Sequence, residues 1–317
     1  MKYRNWNGHE SYQTILQQWN ADMPKDFHLR EDLFISQILK QEDIHRPASY
    51  VAIDETDREV GWIIVKRWNR DGIDAYRGVA WISFLYVVPS HRKQGIGRKL
   101  VTLAIDQLRL DGIHTVHVGK DMNNLFCGVP EIFGTKGFFA AMDFVEHDFS
   151  VDMHKHVTST DLIPLRQQLN YRIRLATRTD FPKIHAFFAK NFPGRWQQEF
   201  IEYDRLGHDG SAFVIVLHDD RVIAFCRIND SRSGYNMYNT NWTATFDHLI
   251  GVGPLGVDDD YRGYGLGFDV TAEAINDAVR RDASDIIIDW TSHIEFYRKF
   301  GFDVWHRYAS MTRKLSR

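Results

Sequence analysis

The chain repeats itself, and the repeat fixes most of what it can fold into. The stretch "HRKQGIG", ending at Gly97, returns as "YRGYGLG", ending at Gly267. Arg92 matches Arg262, Gly95 matches Gly265 and Gly97 matches Gly267, always 170 residues apart (262 − 92). Each loop follows an apolar, strand-like run, "AWISFLYVV" or "HLIGVGPLGV". Each opens a segment with apolar residues at helical spacing: Leu100, Ala104 and Leu108, then Val270, Ala274 and Ala278. Ahead of both lies a hairpin pattern with an Asp-containing turn, "SYVAIDETDREVGWIIVKRW" and "SAFVIVLHDDRVIAFCRI". Behind both come a strand, a short helix ending in Gly-Phe, and a last strand. The order predicts a tandem duplication of α/β (α+β) class. The first domain spans 1–157 and the second 170–317, with the Thr/Ser-rich stretch between them read as a linker.

Composition narrows the setting. A chain of 317 residues with 44% hydrophobic and 26% charged residues suits two ordinary globular domains. A net charge of −3 supplies no overall basic field, so neither nucleic acid nor an anionic membrane is expected as a partner. Two cysteines, Cys127 and Cys226, form no paired spacing, which fits a reducing compartment and points to the cytoplasm. The start, "MKYRNWNGHESYQ", has no apolar core of a signal peptide. No apolar run approaches the ~20 residues of a membrane span.

Glycines that alternate with larger residues ahead of a helix let a backbone approach an anion closely. The second loop reads G-x-G-x-G, so the dinucleotide fingerprint G-x-G-x-x-G does not apply. The two loops, with "EFYRKFGF" near the end, resemble the GCN5-related N-acetyltransferase (GNAT) superfamily in a tandem, two-domain form. Both loops fit that family's Q/R-x-x-G-x-G/A motif, and "FYRKFGF" fits its later F-Y-x-x-x-G-F helix. The resemblance implies two domains, each a mixed, mostly antiparallel twisted sheet flanked by helices. It implies acetyl-CoA as co-substrate and a primary amine on a small molecule or peptide as acceptor. Its pyrophosphate would lie on Arg92, Lys93, Gln94, Gly95, Ile96, Gly97 and Arg98 in one half. In the other it would lie on Arg262, Gly263, Tyr264, Gly265, Leu266 and Gly267, and Phe268 replaces the arginine. Leu85 and Val87, and Leu255 and Val257, would offer main-chain groups to pantetheine.

Acetyl transfer to an amine needs a base for the amine and a proton for the departing thiolate. By the resemblance the tyrosine of the FYxxxGF helix is that acid, here Tyr297. Aligned on Gly137-Phe138 and Gly301-Phe302, the first half carries Phe133 instead, so the second half is expected to be catalytic. The same alignment gives the first half six extra residues after its loop, 41 positions against 35. Asp289, at the end of "DIIIDW", is the candidate base; Asp247 and His248 are weaker candidates. Tyr235, Tyr238 and Trp242 are candidates for an acceptor-binding lip. His154 and His156 share a strand face without a third ligand, so no metal site is expected, and Cys127 has no His or Asp partner for nucleophilic work. The alternatives are a catalytic first half, a non-catalytic acyl-CoA binder, and aminoacyl transfer from tRNA, which the charge disfavours.

Overall fold

A computed structural model describes residues 1–8, 12–68, 73, 76–167, 169–233 and 245–316. The proposed lip of Tyr235, Tyr238 and Trp242 lies outside the described residues. The chain divides into two compact units, residues 1–151 with 306–317, and residues 152–305.

The first half of the sequence runs β1 (Lys2–Asn5), α1 (Tyr12–Asp22), α2 (Glu31–Phe34), β2 (Tyr50–Ile53), β3 (Glu59–Arg67) and β4 (Val79–Val87). It continues with α3 (Ile96–Leu110), β5 (Thr115–Val118), β6 (Val129–Pro130), α4 (Lys136–Ala140) and β7 (Val145–His156). The second half repeats it as β8 (Arg172–Leu175), α5 (Phe181–Asn191), α6 (Arg195–Arg205), β9 (Phe213–His218) and β10 (Arg221–Asp230). Then follow β11 (Leu249–Val257), α7 (Leu266–Arg280), β12 (Asp285–Thr291), α8 (Ile294–Arg298) and β13 (Asp303–Lys314). Among the described residues no helix is long and apolar enough to cross a membrane.

In the first unit the strands lie in the order β1-β2-β3-β4-β5-β13, with β6 on β13. In the second the order is β7-β12-β11-β10-β9-β8. Each unit has a parallel pair, β4 with β5 and β11 with β12, beside antiparallel ladders from β1 to β4 and from β8 to β11. The last strands therefore differ from the division at 157 and 170. Residues 306–317 complete the first unit's sheet, while the end of β7, from Asp152, belongs to the second. Alternation of apolar and polar residues identifies a strand; it does not say which sheet edge that strand covers.

The parallel pairs matter most for function. β4 and β5 are paired from Val79/Thr115 to Ile82/Val118, then part. β11 and β12 are paired from Leu249/Asp285 to Gly251/Ile287, then part. At each fork the outer antiparallel ladder slips: β3–β4 pairing passes over Ser83, and β10–β11 pairing passes over Gly253 and Pro254. Such bulges re-aim a strand and free its main-chain groups.

The two short helices correct the alignment behind the Phe133 assignment. α4 and α8 are 158 residues apart (294 − 136), and so are β7 and β13 (303 − 145). The first half thus carries twelve extra residues (170 − 158), not six, all between β5 and α4. The residue matching Gly301 is Asp143, not Gly137; both have left-handed backbone, at φ 82° and 62°. The residue matching Tyr297 is Phe139, not Phe133. The inserted segment is held by Lys66 on β3, whose buried ammonium meets Asp121 and the carbonyls of Met122 and Asn123.

Candidate active site

Both glycine loops make the same cradle. The first position after the arginine is left-handed in each, Lys93 at φ 59° and Gly263 at φ 90°, and so are Gly95 at 81° and Gly265 at 74°. Each loop opens a 15-residue helix whose first N–H groups have no intrahelical acceptor. The result is a concave set of donors reinforced by the helix dipole, an anion site. The last glycine of each loop, Gly97 or Gly267, has ordinary backbone. A Cβ on Gly267 would come no closer than 3.7 Å to Val257, and one on Gly97 no closer than 3.5 Å to Phe138. The fold does not demand glycine there, but a ligand lying against the helix start would.

A cavity lies over each loop. The first, of about 800 Å³, is walled by Leu85, Val87, Arg92, Lys93, Gly95, Ile96, Gly97 and Arg98 among others. The second, of about 510 Å³, is walled by Leu255, Val257, Arg262, Gly263, Gly265, Leu266 and Gly267. Gln94 and Tyr264 stand off these walls. The Gln94 amide donates to the Ser90 carbonyl at 3.1 Å, and Tyr264 is exposed. Arg92 is spent partly on structure: it donates to the Val87 carbonyl at 2.8 Å and pairs with Asp22. Arg262 pairs with Asp259 at 2.7 Å on the open surface, an arrangement a phosphate displaces at little cost.

Sequence reasoning missed Arg166. Where α3 has Arg98, α7 has Phe268, and the Arg166 guanidinium lies 3.8 Å over the Phe268 ring. Both residues line the second cavity, as does Lys299. The segment read as a linker is in fact tied to α7. Buried Asp269 accepts from the Arg166 and Gln167 N–H groups and from the Tyr171 hydroxyl, at 2.7, 3.2 and 2.6 Å. Asn276 exchanges two hydrogen bonds with the main chain of Ile163. A cation absent from the loop motif is thereby supplied from about a hundred residues upstream.

Beyond Gly251/Ile287 at the second unit's fork, β12 carries Asp289; Tyr297, on α8, is buried. Burial raises the Tyr297 phenol above its usual value, and the nearby Cys226 and Asp289 add to it. Burial likewise pushes the Asp289 carboxyl well above the carboxylate range, followed by Asp152; Arg195 opposes the shift and Glu199 adds to it. Asp152 is a second unforeseen residue, from the end of β7, and accepts the Trp290 N–H at 3.2 Å. Glu199 holds Arg195 at 2.7 Å and Arg227 at 3.2 Å, and the Arg195 guanidinium lies 4.2 Å over the Trp290 ring. The phenol and the carboxyl are therefore near enough to interact electrostatically, and burial biases each toward its protonated form.

The first unit lacks both groups. Phe139 takes the place of Tyr297, and Gly119 that of Asp289, by the offset of 170 that relates β5 to β12. The backbone confirms the match, since Lys120 and Trp290 follow with φ of 62° and 47°. The other candidates stand apart. His248 is buried at the opposite end of β11, bonded to Asp230 at 2.9 Å and to the Asp282 carbonyl at 3.0 Å. His154 and His156 share one oxygen of Asp285, at 2.7 and 3.4 Å. Cys127 is buried in the inserted segment.

Comparison with known proteins bears on the fold and the family. The model of the acetyltransferase (GNAT) family matches residues 12–126 and 181–302, more than half of the chain. A probable N-acetyltransferase of Arabidopsis thaliana, HLS1, is 31% identical over 116 residues, covering 34% of this chain and 28% of that protein. Among solved structures, a glucosamine N-acetyltransferase region of a fungal multi-domain β-N-acetylglucosaminidase superposes with a TM-score of 0.86 at 20% identity. It covers 98% of this chain and 38% of that one. A tandem GNAT protein of the clavulanic acid biosynthesis pathway gives 0.67 at 16% identity, over 100% and 99% of the two chains. The chain thus spans about a third of the first two relatives, and the structural likenesses are likenesses of fold.

Proposed function

The chain belongs to the acetyltransferase (GNAT) family, and on that premise we propose that its second unit transfers an acetyl group from acetyl-CoA to a primary amine. The observation that carries this reading is the pair Tyr297 and Asp289, which the first unit replaces with Phe139 and Gly119. The loop from Arg262 to Gly267, with Arg166 and Lys299, holds the pyrophosphate; Leu255 and Val257 line the pantetheine path. Arg92 to Arg98, with Leu85 and Val87, form the corresponding cradle in the first unit.

Asp289 takes a proton from the acceptor ammonium, and the freed amine attacks the thioester carbon. The C–N bond forms, the C–S bond breaks, and the Tyr297 hydroxyl protonates the sulfur as it leaves. A phenol with a raised pKa stays protonated until charge appears on the sulfur. A carboxyl with a raised pKa is a stronger base than an ordinary one once ionised. The fold likeness makes glucosamine the first acceptor to try. Cys127 and Cys226 are buried and not joined in a disulfide, which suits a cytoplasmic setting. The test is acetylation of a primary-amine panel headed by glucosamine, comparing the natural chain with Tyr297→Phe. Product from the natural chain and a large loss in the variant support the reading; equal turnover overturns it.

A further inference from the structure

The first unit's cavity is built for something other than the second's chemistry. It continues from the phosphate cradle past Leu85 to the fork at Ser83 and into a chamber lined by the inserted segment. Its ionisable wall residues, Asp22, His91, Arg92, Lys93 and Arg98, stand at or beside the cradle, apart from Tyr86, whose hydroxyl donates to the Gln18 carbonyl at 3.0 Å. The inner walls are apolar: Trp19, Phe84, Phe126, Val129, Phe133 and Phe139. The Trp19 ring gathers three of them, with centroids 5.1 Å from Phe84, 5.5 Å from Phe126 and 6.0 Å from Phe133. Such walls offer nothing to hold or deprotonate an amine. They fit a hydrocarbon.

The chamber lies where β4 and β5 part beyond Ile82/Val118. With a CoA pyrophosphate on the cradle, the acyl end of the ligand would reach that fork, and the apolar chamber is what receives it.

We propose that the first unit binds an acyl-CoA with an apolar acyl group longer than acetyl and retains it without transferring it. The second clause rests on the assignment of transfer to the second unit. Phe139 has no proton for a leaving thiolate, and Gly119 is no base.

Calorimetric titration of the full chain with CoA, acetyl-CoA and hexanoyl-CoA tests this. One site per chain should bind hexanoyl-CoA on the order of tenfold or more tighter than acetyl-CoA, through the four added methylenes. Gly267→Trp fills the second cavity and should leave the chain-length-sensitive site in place. Gly97→Trp should remove it. Equal affinity for hexanoyl- and acetyl-CoA in the Gly267→Trp chain, or no binding there at all, overturns the proposal. Should that variant not fold, the natural chain decides: hexanoyl-CoA no tighter than acetyl-CoA at either site also overturns it. Hexanoyl transfer to an amine that persists in Tyr297→Phe contradicts retention without transfer. Conversely, undiminished acetyl transfer by Tyr297→Phe, with tight hexanoyl binding kept by Gly267→Trp, overturns the assignment of transfer alone and leaves the binding site standing.

Discussion

Phe139 and Tyr297 occupy the same place in their two units. Each carbonyl accepts the N–H of the phenylalanine five residues on, Phe144 at 3.1 Å and Phe302 at 3.4 Å. Each also accepts the N–H three residues on, from Met142 and from Phe300, at 2.9 and 3.0 Å. The two turns are one piece of architecture used twice, and a single hydroxyl separates them chemically. Duplication kept the scaffold and left the phenol in one copy.

The proposed mechanism ties activity to pH through Asp289: there its ionised form is the base, so turnover should rise as pH climbs through its raised pKa. Asp289→Asn should lose that limb and about 10²-fold in rate. Stability should move the other way. Between the ordinary carboxyl value of 3.8 and the raised one, the native state binds more protons than the unfolded chain. What the protonated carboxyl contributes is therefore complete below about pH 4 and is lost as pH rises through the raised value. Asparagine carries no such liability. Thermal melts should show Asp289→Asn about 2–4 °C more stable above that window and converging with the natural chain near pH 4.

Gly267 separates ligand demand from fold demand. Its α7 start has room for a side chain, with the nearest neighbour of an added Cβ at 3.7 Å. Gly267→Trp should melt within about 2 °C of the natural chain without ligand, yet lose acetyl-CoA turnover. Saturating acetyl-CoA should then protect the variant less, because one linked binding equilibrium is gone. Full turnover in this variant would place the working cradle elsewhere.

The last strand decides which fragments fold. β13 pairs with β5 through Thr312/His117, Arg313/Val116 and Lys314/Thr115. A chain cut to residues 1–157 leaves β5 as an open edge, a site for aggregation. Such a fragment should show no cooperative melt by circular dichroism, and supplying residues 303–317 through a flexible linker should restore one.

Much of this was legible in the sequence. The loops and the hairpins follow from glycine spacing and period-2 alternation, which are local. The short helix was mismatched because glycine was aligned with glycine. The left-handed turn uses Gly301 in one unit and Asp143 in the other, and aspartate tolerates that backbone. Arg166 and Asp152 escaped notice because their roles depend on tertiary placement: one reaches Phe268, the other the Trp290 N–H, each more than a hundred residues away. Strand destination escaped for the same reason.

The most direct test of the account is the rate of amine acetylation by Tyr297→Phe under saturating acetyl-CoA, measured beside Phe139→Leu. The account predicts a loss of about 10²-fold or more for Tyr297→Phe, with acetyl-CoA affinity unchanged, and little change for Phe139→Leu. Turnover that survives Tyr297→Phe but collapses in Phe139→Leu would contradict it.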